Sequence, residues 1–193
     1  MQQKVFKAYK IPVLLLAIGG ALCILILLGK AVITPPTQNM QLQTATHVGR
    51  SAPHFALPIL YPHVHTLLDN AQLFGRPYLL TVWASWCDSC SVESPDLNTL
   101  AQSLTIPMIG YNWRDKPDDA QHWLEEYGNP FTFVVSDSNG MYAMDWGVTG
   151  APEHFLVDDH NIIRWKHSGP LTQRIISTEI LPLLHKWHIQ TRN

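Results

Sequence analysis

The chain has 193 residues, 46% of them hydrophobic and 15% charged, with 13 Lys and Arg against 15 Asp and Glu. That composition suits one packed domain plus an appendage and excludes a long disordered or collagen-like chain; three cysteines are too few for a disulfide-stapled miniprotein. Lys4, Lys7, Lys10 and Lys30 are the only charged residues of the first thirty, so residues 31–193 carry nine basic and fifteen acidic side chains, a mildly acidic balance that argues against nucleic-acid binding.

Ile11 to Gly29 is a run of nineteen uncharged residues between Lys10 and Lys30. As a helix it reaches roughly 28 Å, close to the ~30 Å hydrocarbon thickness of a bilayer. Pro12 fits a first helical turn, and Gly19-Gly20 is common in lipid-embedded helices. A cleaved secretory peptide would have a shorter apolar region and a small-residue cleavage site, for which Ala31-Val32-Ile33 is a poor match. Leu22 likewise disfavours lipoprotein processing at Cys23, which reads as a small apolar, lipid-facing residue. The expectation is a transmembrane signal anchor over 11–29 behind cytoplasmic residues 1–10. Three lysines precede it and one follows closely, which puts the rest of the chain outside, in a bacterium on the periplasmic side of the inner membrane. Residues 30–48, with Pro35-Pro36 and a polar run, read as a linker.

Residues 49–193 alternate between strand-like and helix-like segments. His54–Leu57 and Thr66–Leu68 are short edge pieces punctuated by Pro53, Pro58 and Pro62. Tyr78–Trp83 is an apolar run of strand length, as in a strand buried on both faces. Cys87–Leu104 carries apolar residues near helical spacing, with a kink expected at Pro95. A second buried strand, Pro107–Tyr111, precedes a helix over Pro117–Tyr127 that has Pro at its opening, Asp118 and Asp119 in its first turn, and Gly128-Asn129-Pro130 as its stop. Phe131–Val135, Glu153–Val157 and Ile162–His167 read as strands, the last two joined by the turn Asp158–Asn161. Thr172–Trp187 is a closing helix that Pro182 kinks or splits. The fold class is α/β, with a parallel core and an antiparallel edge, and this order of elements alone does not decide function.

The chemistry lies in Trp83-Ala84-Ser85-Trp86-Cys87-Asp88-Ser89-Cys90, a C-x-x-C between the end of a buried strand and the start of a helix. A spacing of three puts both sulfurs on the first helical turn, close enough to form a disulfide. The helix end favours a thiolate on the more N-terminal sulfur, so Cys87 is the expected nucleophile and Cys90 the thiol that resolves the mixed disulfide. A zinc site would want a second Cys or His pair, covalent haem attachment would want His where Ser91 stands, and a structural disulfide across so small a loop would restrict the unfolded chain little. In Gly147-Val148-Thr149-Gly150-Ala151-Pro152-Glu153, Pro152 suits an ordinary turn or a cis peptide whose neighbours pair with an extended substrate.

The WCxxC junction and the distal Ala-Pro loop resemble thioredoxin. GVTGAPEHFLVD with NIIRWKHSGPL, Val48–Phe55, Tyr111-Asn112-Trp113 with Asp115, Trp123–Pro130 and the N-terminal anchor resemble the CcmG/DsbE family of membrane-anchored, thioredoxin-like proteins of cytochrome c maturation, over nearly the whole chain. The resemblance implies a thioredoxin-like fold, a central mixed sheet flanked by helices, with Pro152 as a cis-proline facing Cys87. It implies electrons from a transmembrane thiol reductase of the DsbD/CcdA type, and an acceptor that is either the C-x-x-C of apocytochrome c or a CcmH-like haem-lyase subunit. The family's acidic surroundings carry over to Glu153 and less directly to Glu93. Asp88 stands where many members have Pro, and an anion there opposes thiolate formation at Cys87. Thr81 occupies the strand position of thioredoxin's buried acid, which leaves Glu153 as a candidate replacement against the reading of a solvated loop acid.

The site residues expected are therefore Cys87 and Cys90 as the catalytic pair, and Trp86, Ala151, Pro152 and Glu153 as the surface that meets substrate. No metal and no cofactor beyond the Cys87–Cys90 disulfide is expected. Trp86 shields the sulfurs or merely packs at the helix start; Trp123 and Trp146 read as packing. His63-x-His65 and His185-x-x-His188 lack a clear third ligand and read as surface histidines. Three functions compete: a reductant of cytochrome c assembly, a general periplasmic thioredoxin-like reductase, and a scaffold that holds apocytochrome or a lyase subunit with its redox pair dispensable.

Overall fold

The computed structural model describes residues 18–21, 23–24, 47–62, 66–187 and 189. Residues 18–21 and 23–24 are helical and exposed. Among the described residues no helix is long and apolar enough to cross a membrane. Most of the expected span over 11–29 and of the expected linker over 30–48 lies outside the described residues, as do His63, His65 and His188.

Antiparallel β1 (Ala56–Tyr61) and β2 (Leu67–Asp69) lead into a 3-10 turn, Asn70–Leu73, capped by the Asp69 carboxylate, which accepts the Ala71 N–H. There follow β3 (Tyr78–Trp83), α1 (Asp88–Ser103), β4 (Met108–Trp113), α2 (Pro117–Tyr127), β5 (Phe133–Asp137), the short α3 (Met141–Asp145), β6 (Glu153–Val157) and β7 (Ile163–Ser168). The last elements are α4 (Gln173–Ile175), a π-helical turn over Ile176–Ile180, and α5 (Leu181–Lys186). The strands form one sheet in the order β2-β1-β5-β4-β3-β6-β7. β3 pairs in parallel with β4, and β4 with β5; β6 and β7 on one side, and β1 and β2 on the other, run antiparallel.

Alternation along β3 sends successive side chains to opposite faces, which is why a strand with six buried residues serves two cores. Leu79 and Trp83 join Leu97 and Leu100 of α1, Trp123 of α2 and Ile176, Ile180 and Leu184 of the last helical stretch, and both cysteines belong to this cluster. Tyr78, Leu80 and Val82 face Phe55, Tyr111, Trp146 and Phe155 on the other side. Trp83 lies 4.6 Å from Trp123 between ring centroids and 5.9 Å from Phe131; Trp123 and Trp146 are both buried packing residues, as expected.

Local hydrogen bonds explain where element ends differ from those read in the sequence. Phe55 exchanges bonds with Asn70, its N–H going to Oδ1 and its carbonyl accepting the Asn70 N–H, so β1 starts after it. The Phe131 N–H is taken by Asn129 Oδ1 at 3.0 Å, and the ladder to β4 begins only at Phe133. The sequence reading missed α3, whose start is organised by Asp137: its two carboxylate oxygens accept the N–H groups of Met141 and Ala143. The closing segment is divided as Pro182 suggested. A proline has no N–H for the carbonyl four residues back, and the helix widens into the π turn just before α5, where Pro182 sits in the first turn.

Candidate redox site

β3 ends at Trp83, and the chain is then steered into α1 by one buried acid. Asp115 accepts from the Ser85 N–H at 2.6 Å, the Ser85 hydroxyl at 2.7 Å, Asn112 Nδ2 at 2.8 Å and the Lys116 N–H at 2.9 Å. Four donors on one carboxylate fix the turn two residues before Cys87. Trp86 projects outward, 53% exposed, with its indole N–H on the Arg114 carbonyl at 3.0 Å and its ring 5.9 Å from Trp113. The Arg114 guanidinium lies 5.0 Å from the Trp113 ring centroid, so Trp86, Trp113 and Arg114 form a continuous shelf that starts at the residue before Cys87.

Cys87 is the N-cap of α1, in an extended conformation with φ −94° and ψ 99°, and its Sγ accepts the Cys90 N–H at 3.1 Å. Cys87 and Cys90 are joined in a disulfide, S–S 2.02 Å, with Cα atoms 5.3 Å apart. Both are buried, and Cys87 is the less completely enclosed at 5% exposure against 1%. An N–H directed at the sulfur, added to the positive end of the helix, stabilises a thiolate at Cys87 once the bond is reduced. Asp88, exposed in the first turn of α1, acts against it.

The Ala151–Pro152 peptide is cis. Pro152 is buried, its carbonyl accepts the Gly169 N–H at 2.9 Å, and Ala151 packs against the core cluster that contains both cysteines. Glu153, next in line, is enclosed rather than solvated. Its Oε1 accepts the Thr149 N–H at 2.9 Å and the Thr149 hydroxyl at 2.8 Å, and its Oε2 lies 2.9 Å from Lys166 Nζ in an ion pair whose side chains are each 2% exposed. Lys166 also donates to the Gly147 carbonyl at 2.9 Å and sits 4.9 Å from the Phe155 ring centroid. Glu153 thus ties Thr149 of the Gly147–Pro152 loop to Lys166 of β7, and Lys166 in turn holds Gly147 at the start of the loop.

A buried carboxylate–imidazole contact lies on the opposite face of β6. Glu93, one turn beyond Cys90 on α1, has Oε2 3.2 Å from His154 Nε2, and both side chains are fully buried. The same oxygen accepts the Leu171 N–H at 2.8 Å, and His154 Nδ1 is 3.1 Å from the Thr81 hydroxyl. Thr81 and His154 are directly paired across β3 and β6. Reading the histidines only as surface pairs missed His154. The available signal was a polar side chain at the same alternation as Pro152 inside an apolar strand, opposite another polar residue, Thr81.

The profile of the Redoxin family matches residues 47–180. A thiol:disulfide interchange protein DsbE of Xylella fastidiosa strain 9a5c is 45% identical over 179 residues, covering 92% of this chain and 89% of that protein. The chain belongs to the DsbE (CcmG) family. The Escherichia coli K12 DsbE is 39% identical over 140 residues, 72% of this chain and 75% of that protein. A crystal structure described as a DsbE of Chlorobium tepidum superimposes with a TM-score of 0.59 at 27% identity, covering 70% of this chain and 95% of that one. This DsbE-family protein therefore has a thioredoxin-like α/β fold and is a thiol-disulfide oxidoreductase, working by dithiol exchange through its C-x-x-C pair.

Proposed function

We propose that the protein is the reductant of a cytochrome c assembly route, anchored by residues 11–29 in a bacterial inner membrane with residues 49–193 in the periplasm. In the reduced protein the Cys87 thiolate attacks one sulfur of a substrate disulfide, forming a Cys87–substrate mixed disulfide and releasing a substrate thiolate, which takes up a proton. Cys90 then loses its thiol proton and attacks Cys87 Sγ; the mixed bond breaks, the second substrate thiolate leaves and is protonated, and the Cys87–Cys90 disulfide forms. The substrate gains two electrons and two protons. A transmembrane thiol reductase of the DsbD/CcdA type restores the dithiol. The acceptor is the C-x-x-C of apocytochrome c or a CcmH-like haem-lyase subunit, held along the Trp86 shelf and the Ala151–Pro152 bend, whose shape Glu153 maintains from beneath.

The observation that carries this reading is Cys87 as the N-cap of α1, joined to Cys90 in a disulfide and following the exposed Trp86, in a chain of the DsbE family. Cys90→Ser removes the resolving thiol and leaves covalent partners on Cys87. Recovery of apocytochrome or a haem-lyase subunit by mass spectrometry is the expected result; recovery of oxidative-folding partners alone overturns it. If holocytochrome still forms in Cys87→Ala/Cys90→Ala cells without added thiol, the domain is a scaffold instead.

A further inference from the structure

Arg114, at the far end of the Trp86 shelf, stands where packing alone would favour a smaller residue. Its φ of +50° is left-handed, a region that suits glycine and costs a residue with a side chain. The conformation is held from three directions. The Arg114 N–H donates to the Asp137 carbonyl at 3.0 Å, the Arg114 carbonyl accepts the Trp86 indole N–H at 3.0 Å, and Asp115 next to it is fixed by four donors. Backbone strain that is over-determined in this way gathers at sites of function. Here it sets an exposed arginine on the shelf that starts at the residue before Cys87.

The guanidinium lies over the Trp113 ring, and among the described residues no carboxylate is within ion-pair distance of it and no acceptor takes its N–H groups. Lys116, two residues on, is already engaged by Asp119 at 3.8 Å. The indole N–H of Trp113 is buried and likewise has no acceptor among the described residues. A Cβ on Gly140 would come 2.6 Å from Arg114 Nε and 2.8 Å from Trp113 Nε1, so the two donors share a space that only glycine leaves open. Neighbouring donors without an acceptor, one of them cationic, suit an anion. A planar guanidinium already laid on a ring loses little freedom on pairing with a carboxylate. The span is short: through the Trp113 ring, 5.9 Å on one side and 5.0 Å on the other, the guanidinium is within about 11 Å of the Trp86 ring centre. An extended chain at ~3.3 Å per residue covers that in about three residues. Asp88, exposed directly after Cys87, repels an acid placed immediately beside the disulfide under attack, so position along the substrate matters.

We infer that Arg114 is a specificity-determining residue of the exchange reaction: it pairs with an Asp or Glu carboxylate about three residues from the disulfide of an extended substrate that lies across Trp86 and Trp113. The favoured substrate class is thus a disulfide-bearing segment with an acid at that distance. The bonds made and broken at Cys87 and Cys90 are unchanged; Arg114 selects which disulfide is presented to them. The inference rests on dithiol exchange at Cys87 and holds whichever protein supplies the segment.

The test uses the reduced full-length protein in a neutral detergent and short peptides whose single cysteine carries a thionitrobenzoate group, released as a coloured thiolate when Cys87 attacks. Glu, Gln or Lys is placed in turn at each position on either side of the cysteine, with uncharged residues elsewhere, and second-order rates are read by stopped flow. Wild type should react about threefold to fivefold faster with Glu than with Gln at a position about three residues from the cysteine, the size of an exposed ion pair, and high salt should erase the difference. In Arg114→Gln the Glu-to-Gln ratio at that position should fall to unity, Arg114→Lys should keep part of it, and Arg114→Glu should make Lys the preferred residue there. A residue that only supports the fold would slow every peptide alike and leave the ratio intact. A wild-type ratio of unity at every position, an equal advantage for Glu at every position, as general charge attraction would give, or a ratio that survives Arg114→Gln overturns the inference. Failure of wild type to react with any peptide is a different outcome, which refutes exchange at Cys87 and the inference with it.

Discussion

Lys166→Met isolates the energy of the ion pair beneath the Pro152 loop. Both charged groups are 2% exposed, so the variant leaves the Glu153 carboxylate buried, with the Thr149 donors but no counter-charge. Breaking such a pair from one side costs about 3–5 kcal/mol. Urea unfolding of wild type and variant at pH 7 should therefore show a loss of about 3–5 kcal/mol, a large part of a typical 5–15 kcal/mol stability. Glu153→Gln/Lys166→Met, which has no charge left to strand, should recover most of it. A single variant as stable as wild type, or a double variant less stable than the single one, would refute the reasoning.

Asp115→Ala strands donors at Ser85, Asn112 and Lys116; it should lower stability by at least ~2 kcal/mol and slow disulfide exchange, since the turn before Cys87 loses its anchor, and a variant with wild-type exchange rates would count against that role. Gly110→Ala places a methyl 2.5 Å from Cδ2 of the buried Phe131 ring, so thermal unfolding should report a loss of about 1–3 kcal/mol, and equal or higher stability would show that the ring yields freely.

Much of the fold was legible because its signals are local. Tyr78–Trp83 is a continuous apolar run and is buried along its whole length, and Pro117 with Gly128 brackets α2 at the residues where it starts and stops. The C-x-x-C at a strand-to-helix junction placed the disulfide before any coordinates did. What escaped depends on distant partners. α3 exists because Asp137 caps it, and Glu93 of α1 meets His154 of β6 across sixty-one positions of sequence, a meeting that no pattern within either segment announces. Glu153 was readable as an acid at a loop but not as a buried one, because the lysine that encloses it arrives from the next strand.

The sheet partitions the interior, with the cysteines, α1, α2 and the π turn on one side and Phe55, Tyr111, Trp146 and α3 on the other. Such a wall lets the far half drift in side-chain identity, or be remodelled by an engineer, while the electron-carrying half stays in register. The Glu153–Lys166 pair, which braces the Pro152 loop from the far side, is the point where the two halves stay tied.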